Sequence, residues 1–594
     1  MNDTAVSRRG FMAGFTRLGL GATLLPGVLW AQMSSASTQT VTVAMLKDAA
    51  RLSGLEFSDE ECELILESVN SSLKRIVALH AVEIPNNVAP PFYFSPLTPG
   101  MKVSREPRPF RASRPRGVKR PADLEHAAFW SVSELAELVR TRTVTSTELT
   151  QMYLARLHRH NDKLNCVVTF LDDYALAQAK QADVEIAAGR YKGPLHGIPW
   201  GAKDIMALPG YKTTWGSGAY KDQVLDETAT VIELLNGAGA VLIAKLATGE
   251  LAGGDEWFGG RTNNPWNLEQ GSSGSSAGSA SATAAGCVAF ALGTETGGSI
   301  LSPAGRCGAT GLRPTFGRVS RYGVMALSWT QDRIGPICRA VEDCALVMSV
   351  IARPDGRDLS VADIPFNWDA GLDPRTLKVG YLAGAFADAD RDPEWASNDA
   401  ETIAKLEELG FDLVSVEVPD FPTDLLRLSV ESAVFHDALF RSGRYKEMTN
   451  KSRGERMRSA RLIPAVEYLQ SQRLRAMMMQ ALANATASVD VYLTPSTHGS
   501  PRREGDRDSA TPELLTQRHS QMANLACYPA VALPTGFVAN GAPTSVSFMA
   551  QPYREAALLA VAKAYQEATG FHRLQPPQFA APQAPFEASA RSAP

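Results

Sequence analysis

Hydrophobic positions recur at two different periods along the 594-residue chain, and the change between them divides it. Within residues 37–84, Cys62, Leu66, Val69, Leu73 and Ile76 are spaced by four and three, which places them on one face of a helix. Ser58-Asp59-Glu60-Glu61 precedes them as a capping box, so a small helical unit is expected, with an apolar stripe suited to docking on a larger domain. From Trp130 onward, amphipathic runs such as SVSELAELVRTRTVTSTELTQMYLARLHRH alternate with short apolar ones such as Val241-Leu242-Ile243-Ala244. Residues 377–416 read as strand, helix, strand: LKVGYL, then DAETIAKLEELG stopped by Gly410, then FDLVSVEV. This alternation predicts an α/β domain over residues 128–572, a mostly parallel mixed central sheet with helices on both faces.

One stretch breaks both periods. Gly271–Gly311 is built almost wholly of Gly, Ala, Ser and Thr. A flexible linker would have such a composition, but its middle, SASATAAGCVAFAL, is small and apolar throughout, as suits a segment buried against close backbone. Two Gly/Ser clusters flank it and read as two loops brought together, where exposed N–H groups can approach a ligand. Gly274-Ser275-Ser276-Ala277-Gly278 fits the G-x-S-x-G nucleophile turn of α/β-hydrolases. That motif needs a strand directly before it, and NNPWNLEQGSS reads as polar loop, so Ser276 is set aside as a chance match.

Composition narrows the classes. A net charge of −4 offers nothing to a nucleic acid, and the seven cysteines contain no C-x-x-C pair, which argues against a zinc site or a disulfide scaffold. The nine histidines show no H-E-x-x-H spacing, so neither a metal nor another cofactor is expected. Ser71-Ser72-Leu73-Lys74 matches S-x-x-K without its partner motifs and reads as a solvated helix face. Residues 1–36 read as a twin-arginine export signal: Arg8-Arg9, then the apolar run Leu18–Trp30, whose 13 residues are too short to span a bilayer. No other segment is long and apolar enough to do so, and a periplasmic or secreted protein is expected. The Pro- and Arg-rich residues 85–127 read as a semi-rigid, solvated linker, and the Pro/Ala-rich residues 573–594 as a disordered tail.

The small-residue stretch, continued through LRPTFGRVSRYG, resembles the signature of the amidase signature hydrolases, a family that includes bacterial amidases and the hydrolytic component of tRNA-dependent amidotransferases. The resemblance covers roughly residues 130–570. The helical unit before it is similar to the small accessory component, termed C, of those amidotransferases. The family's motifs fall here on Gly297-Gly298-Ser299, on Ser275 at 24 positions earlier, and on Lys203 in Gly197-Ile198-Pro199-Trp200-Gly201-Ala202-Lys203-Asp204. The resemblance implies Ser299 as nucleophile, Ser275 behind a cis peptide bond as proton relay, and Lys203 as base. It also implies an oxyanion hole from the backbone N–H groups of Thr296, Gly297, Gly298 and Ser299. A lysine serves as base only when neutral, which requires burial to bring its pKa down from about 10.4. The expected chemistry is hydrolysis of a small-molecule amide through an acyl-enzyme.

The nucleophile loop departs from the family's D-x-G-G-S-I-R. Here it reads Glu295-Thr296-Gly297-Gly298-Ser299-Ile300-Leu301, and a cysteine-containing turn downstream has become Gly305-Arg306-Cys307. With the family's arginine replaced by Leu301, Arg306 is the nearest cation and is expected to pair with Glu295. A weakened or partner-dependent protein, or an esterase or carbamate hydrolase, stays open as the alternative. A tRNA-linked role is disfavoured by the export signal. Residues 425–480 match no motif and are where substrate contacts are expected; self-association and the identity of the amide are not written in the sequence.

Overall fold

The computed structural model describes residues 41–52, 55–80, 94–421, 423, 430–498 and 515–581. The export signal therefore lies outside the described residues. Contacts divide the chain into two compact units, residues 1–89 with 461–467, and residues 90–460 with 468–594.

In the first unit, helices α1 (Val43–Leu52) and α2 (Asp59–His80) pack together. The capping box forms as expected: the Glu61 N–H donates to Ser58 Oγ at 3.2 Å, and the Ser58 N–H donates to Glu61 Oε2 at 2.8 Å. Asn70 joins the ends of the hairpin by accepting from the Val41 N–H at 2.8 Å.

Among the described residues, the second unit is organised by an eleven-stranded sheet. In chain order its strands are β1 (Val167–Phe170), β2 (Pro199–Lys203), β3 (Val241–Leu246), β4 (Phe290–Glu295), β5 (Thr310–Arg313), β6 (Arg333–Cys338), β7 (Val379–Tyr381), β8 (Leu413–Ser415), β9 (Val491–Pro495), β10 (Ala530–Phe537) and β11 (Pro543–Met549). Their order across the sheet is β1-β3-β2-β4-β6-β5-β10-β11-β9-β7-β8. The expected mixed sheet covered by helices is present, and its parallel pairs lie toward the flanks: β3-β2-β4 on one side, β9-β7-β8 on the other. The centre, from β4 through β6, β5, β10 and β11 to β9, is antiparallel. The strand–helix–strand unit at 377–416 supplies the parallel pair β7–β8.

Helices α3 (Val132–Arg140) and α4 (Ser146–Leu164) begin with capping boxes, Ser131 with Glu134 and Thr145 with Glu148. The Ser146 hydroxyl donates to the Gly197 carbonyl at 2.9 Å and anchors the turn that leads into β2. Gly197 sits at φ +80°, and a Cβ there would lie 2.9 Å from that of Ser146, so both the turn and the close approach require glycine.

Two ends of this unit are more ordered than their composition suggested. Residues 94–123 keep most of their side chains exposed, as a solvated segment would, but are not a free tether: they lie along the rest of this unit. Arg111 bridges Asp369 in parallel register, the Arg108 N–H donates to Asn367 Oδ1 at 2.9 Å, and Phe94 meets Phe316 edge-on. Prolines leave few N–H groups to satisfy, so the segment docks with few hydrogen bonds of its own. Residues 573–581 are likewise packed. Phe579 is buried, and its carbonyl accepts from the Arg156 guanidinium at 2.7 Å; the rest of the expected tail lies outside the described residues.

Candidate active site

Lys203 is the last residue of β2, every residue of which is buried. Alternation along the strand sends Lys203 and Asp204 to different neighbours. Asp204 pairs with Lys245 at 2.9 Å and accepts from Thr214, so the adjacent carboxylate does not neutralise Lys203. The Lys203 amine meets three hydroxyls instead: Ser275 Oγ at 2.7 Å, Thr294 Oγ1 at 2.9 Å and Ser276 Oγ at 3.1 Å. A hydroxyl can donate as well as accept, so this cage satisfies a neutral amine, two N–H bonds out and one lone pair in. Burial pulls the Lys203 pKa down to about 7, against the upward pull of Asp332 and Glu295.

The small-residue stretch explains how the cage is assembled. Helix α5 (Ala277–Ala284) is buried along its whole length, and β4 follows it. Gly293 in β4 lets the preceding turn close, since a Cβ there would lie 2.6 Å from Ser276 Oγ. The Gly274–Ser275 peptide is cis. The turn that carries Ser299 joins the turn that carries Ser275, because the Ser276 N–H donates to the Ser299 carbonyl at 3.1 Å. The two Gly/Ser clusters are therefore in contact, as the sequence suggested.

Ser276 belongs to this site, though not in the role that the G-x-S-x-G pattern would give it. Its hydroxyl accepts from Lys203 and from the Thr294 N–H at 3.1 Å, and lies 3.2 Å from the Thr294 carbonyl. The segment before it is a short hairpin, Asn263–Asn264 with Asn267–Gly271, outside the central sheet. Ser276 is thus not on a strand-to-helix nucleophile turn; it is a post that holds the lysine.

Gly297 and Ser299 line a cavity of about 690 Å³ together with Gly274 and Thr296. The N–H groups of Gly297, Gly298 and Ser299 make no hydrogen bond within the described residues, which leaves them available to a developing oxyanion. The Thr296 hydroxyl donates to Asp332, which also accepts from the N–H groups of Leu327 at 2.7 Å and Ser328 at 2.9 Å.

Glu295 does not pair with Arg306. Its Oε1 accepts from Arg313 at 2.7 Å, and its Oε2 from the N–H groups of Ile300 and Leu301 at 2.8 and 2.9 Å. Arg333 donates to the Thr296 carbonyl at 2.9 Å and, with Arg313, to Asn524 Oδ1. Burial alone would raise the Glu295 pKa, but Arg313, Arg333 and the Leu301 N–H hold it below its ordinary value. Arg306 is carried by helix α6 (Leu301–Cys307), and its charge bears on His498. The cations beside Glu295 thus come from β5 and β6 and not from α6. Arg313 stood in the quoted motif as part of GLRPTFG, and only its pairing was hidden.

The far wall of the cavity is polar: Ser328, Gln331, Glu431, Arg453, Gln472 and Asn524 face it, with Met457 and Leu525 among its few apolar members. Glu431, Arg453 and Gln472 come from the segment without a recognisable motif. Glu431 accepts from Ser328, Thr330 and Tyr468 and is held in place by them.

The sequence pattern of the amidase family matches residues 148–559, which contain Lys203, Ser275 and Ser299. The chain belongs to the amidase family. It is 33% identical over 483 residues to a glutamyl-tRNA(Gln) amidotransferase component, the one designated A, of Coxiella burnetii, covering 75% of this chain and 99% of that protein. The corresponding component from Acinetobacter baylyi is 34% identical over 475 residues, 74% of this chain and 96% of that protein. Among solved structures, the native peptide amidase of Stenotrophomonas maltophilia superposes with a TM-score of 0.64 at 27% identity, over 75% of this chain and 98% of that one. The family enzyme acts on carbon–nitrogen bonds. Among the described residues no helix is long and apolar enough to cross a membrane, and no group of three or more His, Cys, Asp or Glu could hold a metal ion.

Proposed function

We propose that this protein hydrolyses the amide bond of a small polar molecule through a covalent acyl intermediate on Ser299. The observation that carries the reading is the buried amine of Lys203, its pKa lowered to about 7 and its nitrogen 2.7 Å from Ser275 Oγ, beside the loop of Ser299. In this mechanism neutral Lys203 takes a proton from Ser275, which in turn takes one from Ser299 as its Oγ attacks the amide carbon. The oxyanion is received by N–H groups of residues 296–299. The same proton returns through Ser275 to the leaving nitrogen as the C–N bond breaks, and water then repeats the sequence to free the acid. A cavity of this size and polarity favours a compact polar amide over a long acyl chain.

The test is to incubate the purified chain with a panel of amino-acid amides, peptide amides, anilides and long-chain acyl amides. Ammonia or amine release and intact mass would be followed. Release from polar amides, with an acyl adduct that Ser299→Ala cannot form, is expected; an adduct on another residue would overturn the assignment. The relatives named as amidotransferase components favour a second reading, a role within a larger assembly. Turnover by the chain alone separates the two.

We also propose export by the twin-arginine route, motivated by Arg8 and Arg9 ahead of the Leu18–Trp30 run. Replacing both arginines with lysine is expected to leave the unprocessed chain in the cytoplasm, as fractionation and immunoblotting would show. Processed protein outside the inner membrane in that variant would refute the route.

A further inference from the structure

Beside the lysine cage runs a second set of hydroxyls that the catalytic cycle does not use. Ser273 lies two residues before Ser275, and Ser302 three residues after Ser299. Their Oγ atoms are 2.8 Å apart, so one direct hydrogen bond joins the segments that carry the two catalytic serines. The Ser302 N–H donates to the Gly298 carbonyl at 2.8 Å and so reaches the oxyanion loop itself. Ser302 Oγ in turn lies 3.2 Å from His498 Nε2, and His498 Nδ1 lies 3.3 Å from Ser496 Oγ.

Two features mark this chain of bonds as built. Ser273 adopts φ +62°, a conformation that favours glycine, so a side chain is kept there against the preference of the backbone. What the side chain gains is the bond to Ser302. At the other end, His498 is fixed by Arg391, which donates to the carbonyls of Ser496 at 2.9 Å and His498 at 3.1 Å and is itself paired with Asp399. Burial, reinforced by Arg306 and Arg391, lowers the His498 pKa to about 4. The ring is therefore neutral at working pH, with one nitrogen donating and the other accepting.

We infer that Ser273, Ser302 and His498 form a clamp that holds the turns of Ser275 and Ser299 in register, with His498 as a positioning residue rather than a catalytic one. The inference rests on the reading of Ser299 as nucleophile. Proton transfer between the two serines tolerates little misplacement, so loosening the clamp acts on the chemical step and leaves the substrate-binding wall intact.

The experiment compares kcat, KM and the unfolding midpoint of the full-length protein with those of Ser273→Gly, His498→Leu, His498→Gln and the double variant Ser273→Gly/His498→Leu. Ser273→Gly removes the hydroxyl and relaxes the backbone, so kcat is expected to fall about tenfold, as for loss of one well-placed hydrogen bond, while KM and the midpoint hold or the midpoint rises. His498→Gln, whose amide can reach Ser302, is expected to retain most of the kcat that His498→Leu loses. The double variant is expected to be no slower than the worse single one. Unaltered kcat in Ser273→Gly, or losses of kcat that only track losses of stability, would overturn the clamp. Turnover surviving Ser299→Ala would instead remove the reading on which the clamp rests, and the clamp with it.

Discussion

Lys203→Met is expected to lower kcat by about 10²–10⁴-fold, the usual contribution of a general base, with little change in KM. Methionine fills the buried volume without offering a lone pair, so the loss reports the proton and not the packing. The wild-type pH profile should show the same group. Burial lowers the Lys203 pKa to about 7, so the amine is protonated and inactive below that pH and neutral above it. Activity is therefore expected to rise with pH through about 7, and the residual activity of the variant should lack that limb. A limb that persists in Lys203→Met would assign it to another group. Ser276→Ala, which removes one of the three hydroxyls around the amine, should give a smaller loss and a shifted limb.

Arg313→Ala is expected to be the most destabilising single change near the site, by about 3–5 kcal/mol, because it leaves a buried carboxylate without its cation. Arg313 and Glu295 are both fully buried and 2.7 Å apart. Adding Glu295→Gln should recover part of the loss, giving a non-additive pair in urea unfolding, whereas Arg306→Ala with Glu295→Gln should be additive. An additive Arg313 pair would mean that Arg333 and the helix amides suffice. The sign with pH follows from the depressed Glu295 pKa. Its stabilisation is present above the unfolded carboxyl value of about 4.3 and is lost as pH falls through the lower folded value. In Arg313→Ala that acid loss should begin at higher pH.

The two cations illustrate what could and could not be read from the chain. Lys203, Ser275 and Ser299 were legible because each lies in a short motif whose glycines and small residues are themselves demanded by the close packing of β2, α5 and β4. The alternation of helix and strand was legible for the same local reason. Arg313 and Arg333 were not, because they reach Glu295 through strand neighbours: β6 pairs antiparallel with β4, which sets Arg333 directly opposite Glu295. Proximity along the chain pointed to Arg306 instead. That residue follows the N-terminus of α6, whose amides, not its side chains, are what Glu295 takes from that segment. Ser276 was missed for a related reason. The motif test asked whether it could be a nucleophile, and its actual partner, Lys203, lies 73 residues away. The segment 94–123 shows the limit of composition, since its basic, proline-rich character says nothing of the backbone around Asp369, some 258 residues on, against which it lies.

The order of strands across the sheet bears on how the protein is made. Among the described strands β10 and β11 come last in chain order, yet they sit between β5 and β9 and join the two flanks. A nascent chain that stops before residue 530 has two partial sheets, each with an open edge where β10 or β11 belongs. Asn524, which gathers Arg313 and Arg333 behind the Ser299 loop, lies just ahead of β10 and is made shortly before it. The strands that carry Lys203, Glu295, Arg313 and Arg333 are therefore joined to β9, β7 and β8 only through two strands that are made after all of them.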